Sequence, residues 1–359
     1  MGKGLIFNLF PVPKYLKMPA VGLDVSDRSF KYVELSEKRG QFLVSRFGTR
    51  IIPEGIVESG EIKDKKKFTE LLKSINSELK IKFINASLPE EKAFISRIEL
   101  PLMDEENIRD AIEFQLEEHI PLSPNDAIFD FEIIKKDEKK KTISVNVAAC
   151  PKALVESYRD TFLESGFFPL SFEMETQSFS RSMVPKNSGT SYFLVDFGKT
   201  RTSFAIVNEG KVKFSSSIRV GGDKVNESLS RNLNIDIIAA ENLKKTKGLT
   251  KNKDNERIYE SLLLVVSVIK DEIKRNIEYW NSCTLKEQGE AKKIDKILMC
   301  GGDSNLIGLP EYFSYELKMP VELGNPWVNI FSFKKYIPDI ELNESLTYAV
   351  ALGLVLRSF

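Results

Sequence analysis

Residues 21–35 read VGLDVSDRSFKYVEL and residues 192–207 read YFLVDFGKTRTSFAIV, and the two stretches follow one plan. In each, an apolar run ends on an acidic residue, Asp24 or Asp196. A turn of small and polar residues follows, and a second apolar run opens at Lys31 or Ser203. Apolar runs broken by Ser, Asp, Gly and Thr predict β-hairpins. A phrase used twice predicts an internal duplication, and with it two related lobes facing one cleft.

Such a hairpin carries chemistry. Its turn offers backbone N–H groups and hydroxyls to an anion, the kind of concavity that holds phosphate. The candidates are Ser26, Arg28, Ser29 and Lys31 in the first hairpin and Gly198, Thr200 and Thr202 in the second. An Asp at a strand end suits Mg²⁺, which takes few protein ligands and keeps part of its water shell, so Asp24 and Asp196 are the metal candidates, acting through water. Either hairpin alone is equally ordinary turn chemistry. Two facing hairpins point to a clasp around the phosphate tail of a nucleotide.

Composition narrows the field. The 359 residues carry 52 basic and 52 acidic side chains, so no global field points to nucleic acid or to an anionic membrane. The lysine-rich stretches at 63–67 and 135–141 read as solvated turns and faces. Cys150, Cys283 and Cys300 are far apart and His119 is the single histidine, which argues against a disulfide scaffold, a zinc site or a His-dependent triad and fits a reducing cytosol. No stretch reaches the roughly 18 apolar residues of a membrane span. Prolines and an asparagine interrupt the apolar residues near the N-terminus, which argues against a signal peptide. The expectation is a soluble, cytoplasmic protein.

Along the chain, Pro11, Pro13 and Pro19 predict an extended tail over 1–19. Three strand-like runs and a helix with Phe68, Leu71, Leu72, Ile75 and Leu79 at helical spacing follow, the order of a ribonuclease-H-type lobe. The expected division is a first lobe over 20–84 and 167–190, an inserted α+β subdomain over 85–166, and a second lobe over 191–359 with a helical insertion at about 230–290. Two glycine pairs join the site. Gly301-Gly302-Asp303-Ser304 follows an apolar strand and lets backbone approach a ligand, or serves only the turn. Gly221-Gly222 stands before a helix whose first N–H groups are free for anions. Glu241 and Lys244 share a helix face and suit a ribose or adenine, or form a plain surface pair.

Set together, these residues resemble the actin-like ATP-binding superfamily and, within it, the PilM family of type IV pilus assembly. The resemblance covers about 21–357 and rests on GLDVSDRSFKYVEL (22–35), IELPLMDEENIRDAIEFQLEEHIPL (98–122), RVGGDKVNESLSRNLNIDIIAAENLKKTKG (219–248) and CGGDSNLIGLPEYFSYELKMPVELGNPW (300–327). It implies an α/β, two-lobed actin-like fold with duplicated ribonuclease-H-like lobes. It further implies ATP and Mg as ligands, and a place beneath the inner membrane, with membrane contact only through partners. The PilN N-terminal peptide would lie in a groove between 21–84 and 85–166, and PilO and the pilus motor would be linked indirectly.

Self-association is a further possibility the resemblance raises. Where the family has Gly in the first phosphate turn this chain has Ser26, followed by Asp27, which sets a negative charge near the phosphates. For hydrolysis, Glu175 matches the family's water-orienting position, with Glu173 nearby; caps or contacts between lobes explain both equally well. A working ATPase or phosphotransferase, and a membrane-tethered filament protein of the FtsA kind, are the alternatives on this fold. Residues 6–11, IFNLFP, resemble the partner's tail motif and suggest self-occupancy of the groove, against the plainer reading of a leader segment.

Overall fold

The structure, a computed structural model, describes residues 20–38, 40–251, 255–288 and 292–359. The extended tail expected at 1–19, with its motif at 6–11, lies outside the described residues.

The first sheet holds β1 (Val21–Val25), β2 (Ser29–Lys38), β3 (Gln41–Ile51), β6 (Phe83–Leu88) and β10 (Phe168–Met174) in the order β10-β6-β1-β2-β3. β1, β2 and β3 run antiparallel in sequence, while β6 runs parallel to β1 and β10 parallel to β6. The second sheet holds β11 (Tyr192–Phe197), β12 (Thr202–Asn208), β13 (Lys211–Ile218), β14 (Lys296–Cys300) and β15 (Val321–Leu323) in the order β13-β12-β11-β14-β15. It repeats the same senses: an antiparallel meander, then two parallel strands. The duplication read from one hairpin thus extends over two whole sheets. A small two-stranded ribbon, β4 (Val57–Glu58) with β5 (Glu61–Ile62), adjoins the first.

Helices cover these sheets through apolar stripes. α1 (Lys65–Leu79) is capped by Asp64, whose carboxylate accepts from Lys67 N at 3.0 Å, and buries Phe68, Leu72, Ile75 and Leu79 at helical spacing. A separate three-stranded sheet, β7 (Phe94–Pro101), β9 (Thr142–Pro151) and β8 (Ala127–Asp137), packs α2 (Glu105–His119) through Ile108, Ile112 and Leu116. This unit is narrower than the expected insertion at 85–166. β6 is a strand of the first sheet, and α3 (Lys152–Glu164) packs Leu154, Tyr158 and Phe162 into the core of the first lobe.

The second lobe carries α5 (Gly222–Leu233), α6 (Ile237–Lys247), the long α7 (Glu256–Gln288) and α8 (Leu309–Leu317). α4 (Glu175–Met183) and α9 (Ala349–Leu356) run between the lobes. α9 is apolar all round, as a fully buried helix must be. It packs Val350 and Leu354 with Leu194 and Ala205 of the second sheet, and Ala351 and Val355 with Val33 and Leu35 of the first. The chain end expected in the second lobe alone is therefore shared by both.

Candidate functional site

The two repeated hairpins close in the same way. Ser26 N donates to Ser29 O at 2.9 Å, and Gly198 N donates to Arg201 O at 3.0 Å. Asp24 stands opposite Lys31 in one register and Asp196 opposite Ser203 in the other. Asp24 is buried, accepts from Ser87 Oγ at 3.0 Å and lies 3.6 Å from Lys31 Nζ. Burial pushes the Asp196 carboxyl up to about 6; Lys31 pulls it down, and Asp24, across the cleft, pushes it further up.

Between the hairpins lies a cleft of about 600 Å³, a size that suits a nucleotide. Asp24, Ser26, Arg28, Ser29 and Lys31 line it from the first lobe. From the second come Asp196, Gly198, Thr200, Glu241, Lys244, Gly301, Gly302 and Asp303, with Glu175 of α4 at the back. Four of the predicted residues stand behind this wall. Thr202 is buried and its Oγ1 donates to Val220 O at 2.6 Å, and the Ser304 hydroxyl bonds Cys300 O to close the glycine turn. A Cβ on Gly221 would sit 2.4 Å from Lys199 O, and one on Gly222 would sit 2.1 Å from the Asp303 carboxylate. That glycine pair lets α5 abut the second hairpin and serves packing.

Gly301 has φ +88, and a Cβ there would meet Asp196 Oδ1 at 2.3 Å, so its glycine is required by the protein itself. At Gly302 the nearest atom to a Cβ is Thr347 Cγ2 at 3.4 Å, which leaves its backbone open to the cleft. Glu241 and Lys244 do not pair with each other. Lys244 is buried and reaches Asp303 Oδ1 at 2.5 Å, tying α6 to the glycine turn, while Glu241 pairs with Lys245 at 2.6 Å. Asp27 does not load the phosphate turn with charge. Its carboxylate turns away to accept from Ser59 N at 3.2 Å and Gly60 N at 3.0 Å.

Sequence reading missed Arg201, at the end of the second turn. Its guanidinium is buried and lies 2.9 Å from Glu91 Oε1 and 4.0 Å from Asp27 Oδ1, and it pairs with Glu175. One cation of the second lobe is thus held by three carboxylates of the first lobe and α4. Burial pushes Glu175 well above the ordinary carboxylate range, against the pull of Arg201 and with the help of Asp24, Glu91 and Asp196. Arg28 reaches across the mouth, 2.7 Å from Glu54 and 4.0 Å from Asp223 at the start of α5.

A second cavity, of about 870 Å³, lies on the other side of α4. Edge strand β8 forms one wall with Ile128–Glu132; Met174, Gln177 and Arg181 form the floor, and the 209–212 turn closes the far end. None of its lining comes from 21–84; its first-lobe wall comes from 172–187, within the 167–190 part of that lobe. Ala148 and Cys150 of β9 pack with Phe172 and Met174 of β10, the edge strand of the first sheet, and Phe172, Glu173 and Met174 line the cavity there. Within it Glu173 is buried and holds Arg181, and Arg357 at 3.3 Å.

The family model described as type IV pilus assembly protein PilM matches residues 22–359. Among solved structures, the chain is similar to one from a PilM-PilN type IV pilus biogenesis complex, with 22% identity over 95% of this chain and 99% of that chain and a TM-score of 0.77. It is also similar to the ethanolamine utilization protein EutJ from Carboxydothermus hydrogenoformans, with 14% identity over 96% and 91% and a TM-score of 0.55. MreB5 of Spiroplasma citri bound to ADP matches with 16% identity over 93% and 94% and a TM-score of 0.54. At these identities the structural likeness speaks to fold: a two-lobed, actin-like architecture.

Proposed function

The chain belongs to the PilM family of type IV pilus assembly proteins, and from that membership we propose that it is an ATP-binding adaptor that holds the N-terminal cytoplasmic peptide of PilN. The observation that carries the reading is α4. Its first residue, Glu175, lies in the cleft between the hairpins, while Gln177, Ser180 and Arg181 line the second cavity. One nine-residue helix borders a nucleotide-sized cleft and a peptide-sized groove. The structure of a PilM-PilN complex, similar along nearly its whole length, and an MreB5 bound to ADP support the two ligands.

The donor set fits a magnesium nucleotide. Asp24 and Asp196 approach from opposite lobes with Lys31 beside Asp24. Two carboxylates are what Mg²⁺ takes from a protein when phosphates and water fill its remaining positions. Among the described residues no group of three or more His, Cys, Asp or Glu forms a self-sufficient metal cage, so the nucleotide would bring the rest of the shell. The ion, when bound, would neutralise phosphate charge. Asp196→Asn is expected to weaken Mg-ATP binding at least tenfold and metal-free ATP binding far less, measured by titration calorimetry with and without chelator. Equal effects on both would remove Asp196 from the metal.

Turnover is not what the site favours. A water-orienting carboxylate must be free to reach the attacking water. Glu175, the residue in that place, is engaged by Arg201. This supports ATP as a structural or regulatory ligand. No helix among the described residues is long and apolar enough to cross a membrane. The adaptor would meet the inner face of the membrane through PilN, with PilO and the pilus motor linked through it, and self-association belongs to the same proposal. No nucleic acid is invoked.

In the groove, edge strand β8 suits an extended peptide, and the Gln177 amide and the Asn146 side-chain oxygen, whose nitrogen already donates to Val212 O, would meet the Asn of the tail motif that residues 6–11 resemble. Calorimetry with a synthetic PilN tail from the same genome is expected to show micromolar binding that needs that Asn and shifts with Mg-ATP. Absence of binding in both conditions would overturn the adaptor reading.

A further inference from the structure

Two guanidinium groups in the second cavity share one carboxylate. Glu173 of β10 is buried, and Arg181 of α4 takes both of its oxygens, with Nη1 2.6 Å from Oε2 and Nη2 on Oε1. The same Nη1 donates to Gly353 O at 2.9 Å, so Arg181 is anchored and Glu173 is already neutralised. Arg357, just past α9, reaches only Oε1, at 3.3 Å, and its side chain stays 45% exposed where it lines the cavity.

The other charges of the cavity do not answer Arg357. Glu132 pairs with Lys211 at 2.7 Å and Glu209 with Lys292 at 3.4 Å. Asp130 stands on the β8 wall, where its Oδ1 accepts from Phe131 N at 2.9 Å. Lys186 adds a further cation beyond the end of α4, its backbone tied through Asn329 to Arg181 O. Around the ends of α4 and α9, then, the cavity sets Arg181, Lys186 and Arg357 against Glu173 alone. An occupant of the cavity strips water from Arg357, and a guanidinium stripped of water needs an anion. A carboxylate matches its planar fork with two parallel hydrogen bonds.

We propose that Arg357 reads an acidic side chain of the bound peptide, with Lys186 adding to the field, so that the cavity selects segments carrying an Asp or Glu. The inference rests on the peptide reading of this cavity and adds a charge requirement to it. Arg181 holds the floor in place, and Arg357 is the cation left for the ligand.

The test is calorimetry of the full chain with the synthetic PilN tail, first as the parent peptide and then with its Asp and Glu residues changed one at a time to Asn and Gln. The proteins are the native chain, Arg357→Gln and Arg357→Lys. One neutralised peptide is expected to bind the native protein about tenfold more weakly than the parent. Arg357→Gln is expected to bind the parent about tenfold more weakly and to lose the distinction between the two peptides, while Arg357→Lys keeps part of it. If Arg357 only holds Glu173, Arg357→Gln will lower the urea midpoint and leave the distinction in place, which would overturn the proposal. Equal binding of every neutralised peptide by the native protein would overturn it too, as would tight binding of a tail with no acidic residue. Both of those results leave the adaptor reading intact and need no variant to fold. Failure of the native protein to bind any of the peptides would overturn the adaptor reading, and the charge requirement with it.

Discussion

Replacing Arg201 with Met is expected to destabilise the protein by about 3–5 kcal/mol, the usual cost of removing one partner from a buried ion network. The cation comes from the second hairpin turn and the anions from Asp27, Glu91 and Glu175, so the network joins the lobes at the back of the cleft. Without Arg201 these carboxylates face one another with no cation among them. The sign of the pH dependence follows. Burial already pushes Glu175 above its ordinary range, and Arg201 opposes this, so in the variant the folded state holds that proton more tightly still. A group whose folded pKa is raised above its unfolded value stabilises when protonated and loses that contribution as pH rises. The deficit should therefore be largest near pH 8 and shrink toward pH 5. Urea denaturation at both pH values measures it. A loss under about 1 kcal/mol, or one that is equal at the two pH values, would show that the cluster is solvated and of little weight.

Arg201 also shows where sequence reading stops. The repeated hairpins were legible because each is local: strand, acid, turn and strand follow within sixteen residues or fewer. A charged residue in a turn reads as solvated, and the three acids that bury Arg201 stand at 27, 91 and 175, with nothing in the sequence to join them. β6 was missed for a related reason. Its Asn85 and Ser87 break the apolar pattern of a central strand, yet both are buried. Ser87 donates to Asp24 Oδ1 and accepts from Val25 N, while Asn85 donates to Leu354 O, and such distant partners leave no trace in periodicity.

Helical spacing made Glu241 and Lys244 a pair, but Lys244 reaches an acid 59 residues away. α3 read as part of the insertion because it follows β9 in the chain. Its Tyr158 hydroxyl instead donates to Gly60 O at 3.0 Å, in the first lobe.

Gly353→Val is expected to cost more than about 3 kcal/mol, beyond the upper end of ordinary overpacking, because the atoms in its way are backbone. A Cβ at 353 would lie 1.8 Å from Ser178 O and 2.4 Å from Ser178 C, so no rotamer change makes room. Gly22 on β1 is the matching site on the other side of α9, where a Cβ would lie 2.0 Å from Ala351 O. Two glycines thus let α9 touch strand and helix at backbone distance. Hydroxyls then fasten the crossing: Ser178 Oγ donates to Val350 O and Ser182 Oγ to Ala349 O, each at 2.8 Å.

The same helix has Ala349 and Val350 in the cleft, and it is followed by Arg357 in the groove. Pushing α9 and α4 apart therefore disturbs both cavities, and Gly353→Val should lose ATP and peptide binding together with stability. Gly189→Val is the control: no atom lies within 4 Å of its Cβ, and its cost should stay within about 0.5 kcal/mol. Urea midpoints for Gly353→Val, Gly22→Val and Gly189→Val decide the matter. A Gly353→Val protein as stable as the Gly189→Val control would mean that the two helices can part without cost, and that neither cavity depends on their crossing.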